Sequence, residues 1–302
     1  MYEDFGTIVN RGFYSWARNL NICIPFVLIF LFNIIISIML FIAIGFLIFE
    51  ANAGSLTDST TPSETEVLSM LWTGLTHNII LSSAIILGFI LFGGFVQSFF
   101  TAGAIGMARK ATETGDTVLP DMIVSGSKNA FRLFLIYLLI GLLMLAGIVF
   151  VVPGALMFGD LSVLIYNPQV TSVQGAGLLA FGIILWAGYM LFLNIALSFS
   201  QYALVIDELE PLEALSAGFR FFKENKLDVL FIWFITLGLS SIDIFINNQF
   251  GTKSLLISGL TLLLSMSVIQ PLITVIYTRL YSSRKGKKIY NPVDLLSCPE
   301  KC

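Results

Sequence analysis

Six stretches of this chain, about 22–49, 75–105, 133–157, 175–206, 229–247 and 254–281, are long, apolar and free of ionisable side chains in their cores apart from His77 and Asp243. A helix needs roughly 20 apolar residues to cross about 30 Å of hydrocarbon, whereas a membrane barrel shows alternating segments of about 10 residues. The runs therefore predict an all-α integral membrane protein with six transmembrane helices. Composition agrees, since 57% of the 302 residues are hydrophobic, 12% are charged and the mean hydropathy is +0.90, beyond the range of soluble domains.

Basic residues orient such a chain, because cytoplasmic loops near the spans are enriched in Lys and Arg. Of the 16 Lys and Arg residues, only Lys253 falls on the side opposite the others. The pattern predicts a cell-membrane protein with both termini cytoplasmic and an acidic, base-free outer loop at 50–71. The motif "EANAG" resembles a signal cleavage site, but the preceding apolar run is too long for a signal peptide and its leader begins with Glu3 and Asp4. Cys298 and Cys302 lie on the predicted reducing side, which argues against disulfides, and two thiols fall short of a structural zinc set.

A common plan precedes the odd-numbered runs: "YEDFGTIVNRGFYSWARNLN", "LPDMIVSGSKNAFR" and "LEPLEALSAGFRFFKENKLD". Each opens with acids and closes with bases, a polarity that suits the helix dipole, and Pro120 and Pro211 stand at first-turn positions. Tyr2, Phe5, Val9, Phe13 and Trp16 in the first, and Leu212, Leu215, Phe219 and Phe222 in the third, follow helical spacing. The architecture predicted is three repeats of an amphipathic interfacial helix plus a transmembrane hairpin within one membrane domain, 1–302. Repeat one covers about 1–105, repeat two about 118–206 and repeat three about 210–281, with a basic cytoplasmic tail at 282–302.

The stretch "YALVIDELEPLEALSAGFRFFKENKLDVLF" resembles a hallmark of a prokaryotic group of six-span proteins that includes the membrane domain of some glycerophosphodiester phosphodiesterases. The shared features are Tyr202 and Ala203, an acidic turn, then Glu213, Ala214 and Leu215, and a base before the next span. The last run is similar through Pro271, Thr278, Leu280, Tyr281 and Arg284, although Ser282 and Ser283 stand where the group has an acid. What the resemblance implies is the six-span architecture. The phosphodiesterase members carry their chemistry in a separate soluble barrel.

Catalytic signatures are absent: the sequence has no GxxxxGK[ST], HExxH, GxSxG or CxxC. An intramembrane serine protease needs a His near its Ser, yet His77 sits at the outer end of the second run. An aspartyl protease needs two facing carboxylates, and Asp243 is the only acid inside a run. No enzyme, cofactor, metal site or nucleic-acid partner is predicted. Polar residues inside the runs include Asn33, Ser37, Gln97, Ser98, Thr101, Ser198 and Asn247. They read first as interhelix hydrogen bonds, worth about 0.6 kcal/mol each. Pro153 and Pro271 interrupt runs, and "GFILFGG", "AGAIGMA" and "GAGLLAFG" predict close helix packing.

Two functions follow. The first is a non-enzymatic membrane protein that engages anionic lipid or an unidentified partner at the inner leaflet through the interfacial helices. The bases concerned are Arg18, Arg132, Arg220, Lys223, Lys226, Arg284, Lys285, Lys287 and Lys288. The alternative is a permease for a small or amphipathic solute, with a polar cavity formed by Asn194, Gln201 and Gln270 and, nearer the outer boundary, Asp243. The two differ in whether those amides converge on one cavity or pair off in dry contacts.

Overall fold

A computed structural model describes residues 3–52, 64–158, 173–250 and 255–290 as helices and short connections, with no strand among them. In chain order these are α1 (Phe5–Arg18), a 3₁₀ turn (Leu20–Cys23), α2 (Ile24–Asn52), α3 (Glu64–His77), α4 (Ile79–Thr114) and α5 (Leu119–Ala146). A second 3₁₀ turn (Gly147–Phe150), α6 (Val152–Phe158), α7 (Val173–Leu197), α8 (Ser200–Asp207), α9 (Pro211–Glu224) and α10 (Lys226–Phe250) follow. The chain closes with α11 (Leu255–Leu264), a π-turn (Ser265–Ile269) and α12 (Gln270–Arg284). Among the described residues, five stretches are long and apolar enough to cross a membrane: Leu20–Glu50, Ile79–Thr114, Leu119–Phe150, Gly175–Asp207 and Thr261–Arg284.

Sequence chemistry explains where helices stop. Asp4 caps α1 by accepting the Gly6 N–H, and Asn19 ends it by donating from Nδ2 to the Ser15 carbonyl. Asn225 ends α9 in the same way, on the Phe221 carbonyl. The second copy of the plan lacks such an asparagine after Arg132. Leu133 follows directly, so α5 runs unbroken from the amphipathic stretch into the apolar run, and the expected separate interfacial helix does not form. The third run breaks early instead, at Ala146, where Trp186 Nε1 and Tyr189 Oη donate to the carbonyls of Met144 and Leu143. Helix α3 also occupies residues expected in the outer loop, because the sequence is largely apolar from Val67 onward.

Packing is concentrated toward the end of the bundle that carries the bases. Buried positions of α4 cluster from Ser98 to Thr112 and those of α12 from Pro271 to Ser283. At the opposite end Phe41, Phe46, Ile80, Leu156 and Phe245 are exposed, an apolar surface suited to lipid. Helices α4 and α5 make the most extensive contact. Gly106 of the "AGAIGMA" run permits it, since a Cβ there would lie 2.2 Å from Ser125 Oγ. Asn19 ties α1 to the connection between them, donating to the Gly115 carbonyl at 3.0 Å and accepting the Thr117 N–H at 3.0 Å.

Candidate functional site

Seven helices converge on one cavity of about 410 Å³, within the roughly 300–1,000 Å³ of small-molecule sites. Helix α2 contributes Asn33, α4 Gln97 and Thr101, α5 Tyr137, α7 Asn194 and α10 Thr236. Ser198 and Gln201 come from the α7–α8 junction, and Gln270, Thr274 and Tyr277 from α12. The expected trio Asn194, Gln201 and Gln270 is thus brought together. Asp243 belongs to α10, but its side chain lies outside the described residues, as do the side chain of Asn247 and the whole of Lys253, Cys298 and Cys302. His77 is exposed at the end of α3.

Two amides are oriented by neighbours. Tyr137 Oη donates to Gln201 Oε1 at 2.7 Å, and Trp233 Nε1 donates to Asn194 Oδ1 at 3.3 Å. Both carbonyl oxygens are engaged, which leaves the two NH₂ groups as donors. The side chains of Asn33, Gln97 and Gln270 make no hydrogen bond among the described residues. Among the described residues, no Asp, Glu, Lys, Arg or His lines the cavity. Its chemistry is that of a neutral, donor-rich amide cluster.

Broken helices meet here. The fourth run is interrupted at Ser198 and Phe199, between α7 and α8. The last run passes through the π-turn just before Pro271, whose missing N–H releases the Ser267 carbonyl. Cys23 takes up that carbonyl, its Sγ donating at 2.8 Å. Sequence reasoning found Pro271 and the amides. It missed the Ser198–Phe199 break and the ring partners Tyr137 and Trp233, which stand in the sequence as ordinary membrane aromatics.

Toward the basic end the cavity has an aromatic floor. Phe199 lies 5.0 Å from Tyr277, 5.8 Å from Tyr202 and 4.5 Å from Phe221 between ring centroids, and Tyr281 lies 5.0 Å from Phe221. Tyr281 Oη donates to Asp207 Oδ2 at 2.5 Å, and Lys287 pairs with Asp207. Below the floor runs an ionic belt. Arg279, only 2% exposed, grips the Glu3 carboxylate with two hydrogen bonds of 2.8 and 2.7 Å, and Arg11 adds a third at 2.8 Å. Arg284 donates to Asp228 at 2.6 Å and to the Glu3 carbonyl at 2.8 Å. Burial tends to raise the Glu3 carboxyl, but the hydrogen bonds and charges of Arg279 and Arg11 prevail and hold it below the usual carboxylate range.

Several expected interfacial bases are therefore already partnered. Arg18 pairs with Asp116, Arg132 with Glu210, Arg284 with Asp228 and Lys287 with Asp207. Arg220, Lys223, Lys226, Lys285 and Lys288 form no salt bridge among the described residues.

These features define a multi-pass helical membrane protein with a polar internal cavity. The model of a family described as "Domain of unknown function (DUF7847)" matches residues 67–283, and the chain belongs to that family. No curated protein and no solved structure matches the chain. The matched residues begin in α3 and end one residue before the end of α12, so they include the cavity lining except for the residues of α2.

Proposed function

We propose that this protein binds and passes an uncharged, oxygen-bearing solute through the cavity between its helices, acting as a permease with no chemistry of its own. In this reading α10 is the sixth span, the basic end faces the cytoplasm as the Lys and Arg bias predicts, and α1, the start of α5 and α9 are three interfacial elements. The observation that carries it is the convergence of Asn194, Gln201 and Gln270, with the unpaired Asn33 and Gln97, on one cavity. Dry interhelix bonding would pair these amides with one another, because an unsatisfied polar group in hydrocarbon costs several kcal/mol.

Depth supports the same reading. Gln270 lies 14 residues from Arg284, roughly 21 Å along a helix at 1.5 Å per residue, which is close to the middle of a bilayer. Transporter sites gather at that depth where helices are discontinuous. The oriented NH₂ groups favour acceptor oxygens on the solute, and the described lining residues, all uncharged, disfavour ions.

The test is thermal unfolding in nanodiscs with neutral sugars, polyols and amides, each beside a carboxylated analogue. A neutral compound is expected to raise the midpoint of the native protein but not of a Gln201→Leu, Gln270→Leu variant. Greatest stabilisation by a charged analogue, or an undiminished response in the variant, contradicts the proposal. A second reading, attraction of anionic headgroups, is favoured by the five bases without salt bridges on and around α9 and at the end of α12.

A further inference from the structure

Two close-packed pairs of helices meet beneath the cavity. Helix α1 lies on α12, where a Cβ at Gly12 would stand 2.8 Å from Ile276 Cγ1, and the Glu3 carboxylate ties Arg11 of α1 to Arg279 of α12. Helix α9 lies on α8, where a Cβ at Gly218 would stand 2.3 Å from Ser200 Oγ. Packing this tight transmits displacement instead of absorbing it, so each pair moves as one body. Each pair also begins at a discontinuity, α8 at the Ser198–Phe199 break and α12 at the π-turn before Pro271.

The seam between the pairs is built differently, from ring faces. Tyr277 of α12 stacks on Tyr202 of α8, with centroids 5.3 Å and planes 20° apart, and on Phe199 at 5.0 Å and 27°, while Tyr281 stands 5.0 Å from Phe221 of α9. Tyr202 and Tyr277 line the cavity and are buried, whereas Asn33, Gln97, Asn194 and Gln270 of the same lining are exposed. The cavity is therefore open above the seam and shut at it. Polar ties cross just below the rings. Asp207, the last residue of α8, accepts from Tyr281 Oη at 2.5 Å and pairs with Lys287, which also donates to the Ile206 carbonyl at 3.1 Å. Three residues on, Tyr290 donates its N–H to the Thr112 carbonyl at 2.7 Å and lays its ring on Gly115, so 285–290 straps the end of α12 to α8 and α4.

We propose that this seam is the inner gate of the cavity, that it opens by separation of α8–α9 from α1–α12, and that Asp207 is its latch. The inference rests on the permease reading: a solute that enters from the open side leaves at the basic end only if the seam parts. Stacked rings slide or separate without stranding a polar group. Releasing Asp207 strands a carboxylate until water reaches it, so the bonds from Tyr281 and Lys287 set how rarely the gate opens. Glu3 has no such role, since its carboxylate bonds lie within the α1–α12 pair.

The test uses the full chain in sealed vesicles, with Gln270→Cys as the reporter and the native cysteines replaced by serine. A membrane-impermeant maleimide is applied from the basic side and the labelling rate is measured. Tyr281→Phe keeps the ring and removes one hydrogen bond to the carboxylate, which corresponds to about tenfold in the open population. Labelling is expected to quicken by about that factor, and by more in Asp207→Ala, which removes both ties. Ala130→Cys, buried on α5 four residues beyond the Gly126 contact with Phe99, is the reporter of unfolding and should stay unlabelled in both variants. Unchanged basic-side labelling in both, with Gln270→Cys still labelled from the opposite side, overturns the gate and leaves the permease reading standing. Absence of labelling from either side in every variant removes both. Labelling of Ala130→Cys in step with Gln270→Cys assigns Asp207 to stability alone and likewise overturns the gate.

Discussion

Arg279 sits at the edge of the last apolar run, where the sequence reads it as a flanking base. The structure buries it against a carboxylate 276 residues away, a contact that local sequence does not encode. The pair closes the basic end by joining Glu3, just before α1, to α12. Breaking a buried pair by removing one partner costs about 3–5 kcal/mol, because the remaining charge is stranded. Glu3→Gln should therefore lower the unfolding midpoint in detergent, whereas replacing both residues with apolar ones should recover much of the loss. The pH dependence has a definite sign. Since the folded carboxyl titrates below its unfolded value of about 4.3, its contribution is complete above that pH and is lost as the pH falls through the lowered folded value. A midpoint profile between pH 7 and 3 should fall more steeply for the native protein than for Glu3→Gln, and parallel profiles would contradict this assignment.

Among elements, the amphipathic segments were legible as a plan, but their independence was not. What separates α1 and α9 from the helices that follow is one asparagine each, Asn19 and Asn225, folding back onto its own helix. Asn129 also folds back, onto Ser125, but apolar residues follow Arg132 and α5 continues. Interfacial character was read from α1 as Phe5, Val9, Phe13 and Trp16. The face packed into the bundle is centred on Ile8 and Gly12, while Phe13 is half exposed. Helix α9 docks through Ala214, Ala217 and Gly218, and a Cβ at Gly218 would stand 2.3 Å from Ser200 Oγ and 2.6 Å from its backbone nitrogen. Overpacking of this kind costs about 1–3 kcal/mol. Gly218→Val is expected to loosen α9 and hasten proteolysis around 208–226, with Ser216→Ala on the exposed face as a silent control. Equal digestion of both variants would show that α9 is not held by this contact.

For the whole molecule, the sequence conveyed the helical membrane class and several of the polar residues that line the cavity, because the energetic demands of hydrocarbon are written in composition. It could not convey convergence. Asn194, Gln201 and Gln270 lie in two runs, and only the break at Ser198–Phe199 and the π-turn before Pro271 bring their amides to one space with Tyr137 and Asn33. The resulting molecule has a dense end, with an aromatic floor over an ionic belt, and a looser end that exposes apolar side chains. A polar cavity above that floor is the centre of the account. The most direct measurement places single cysteines at Asn194, Gln201 and Gln270 in a background with Cys23, Cys298 and Cys302 replaced by serine, which keeps a donor for the Ser267 carbonyl. A membrane-impermeant maleimide is then applied to each side of sealed vesicles in turn. The account predicts labelling at all three positions from the side opposite the basic end and protection from the basic side; protection of all three from both sides would mean dry helix contacts and contradict it.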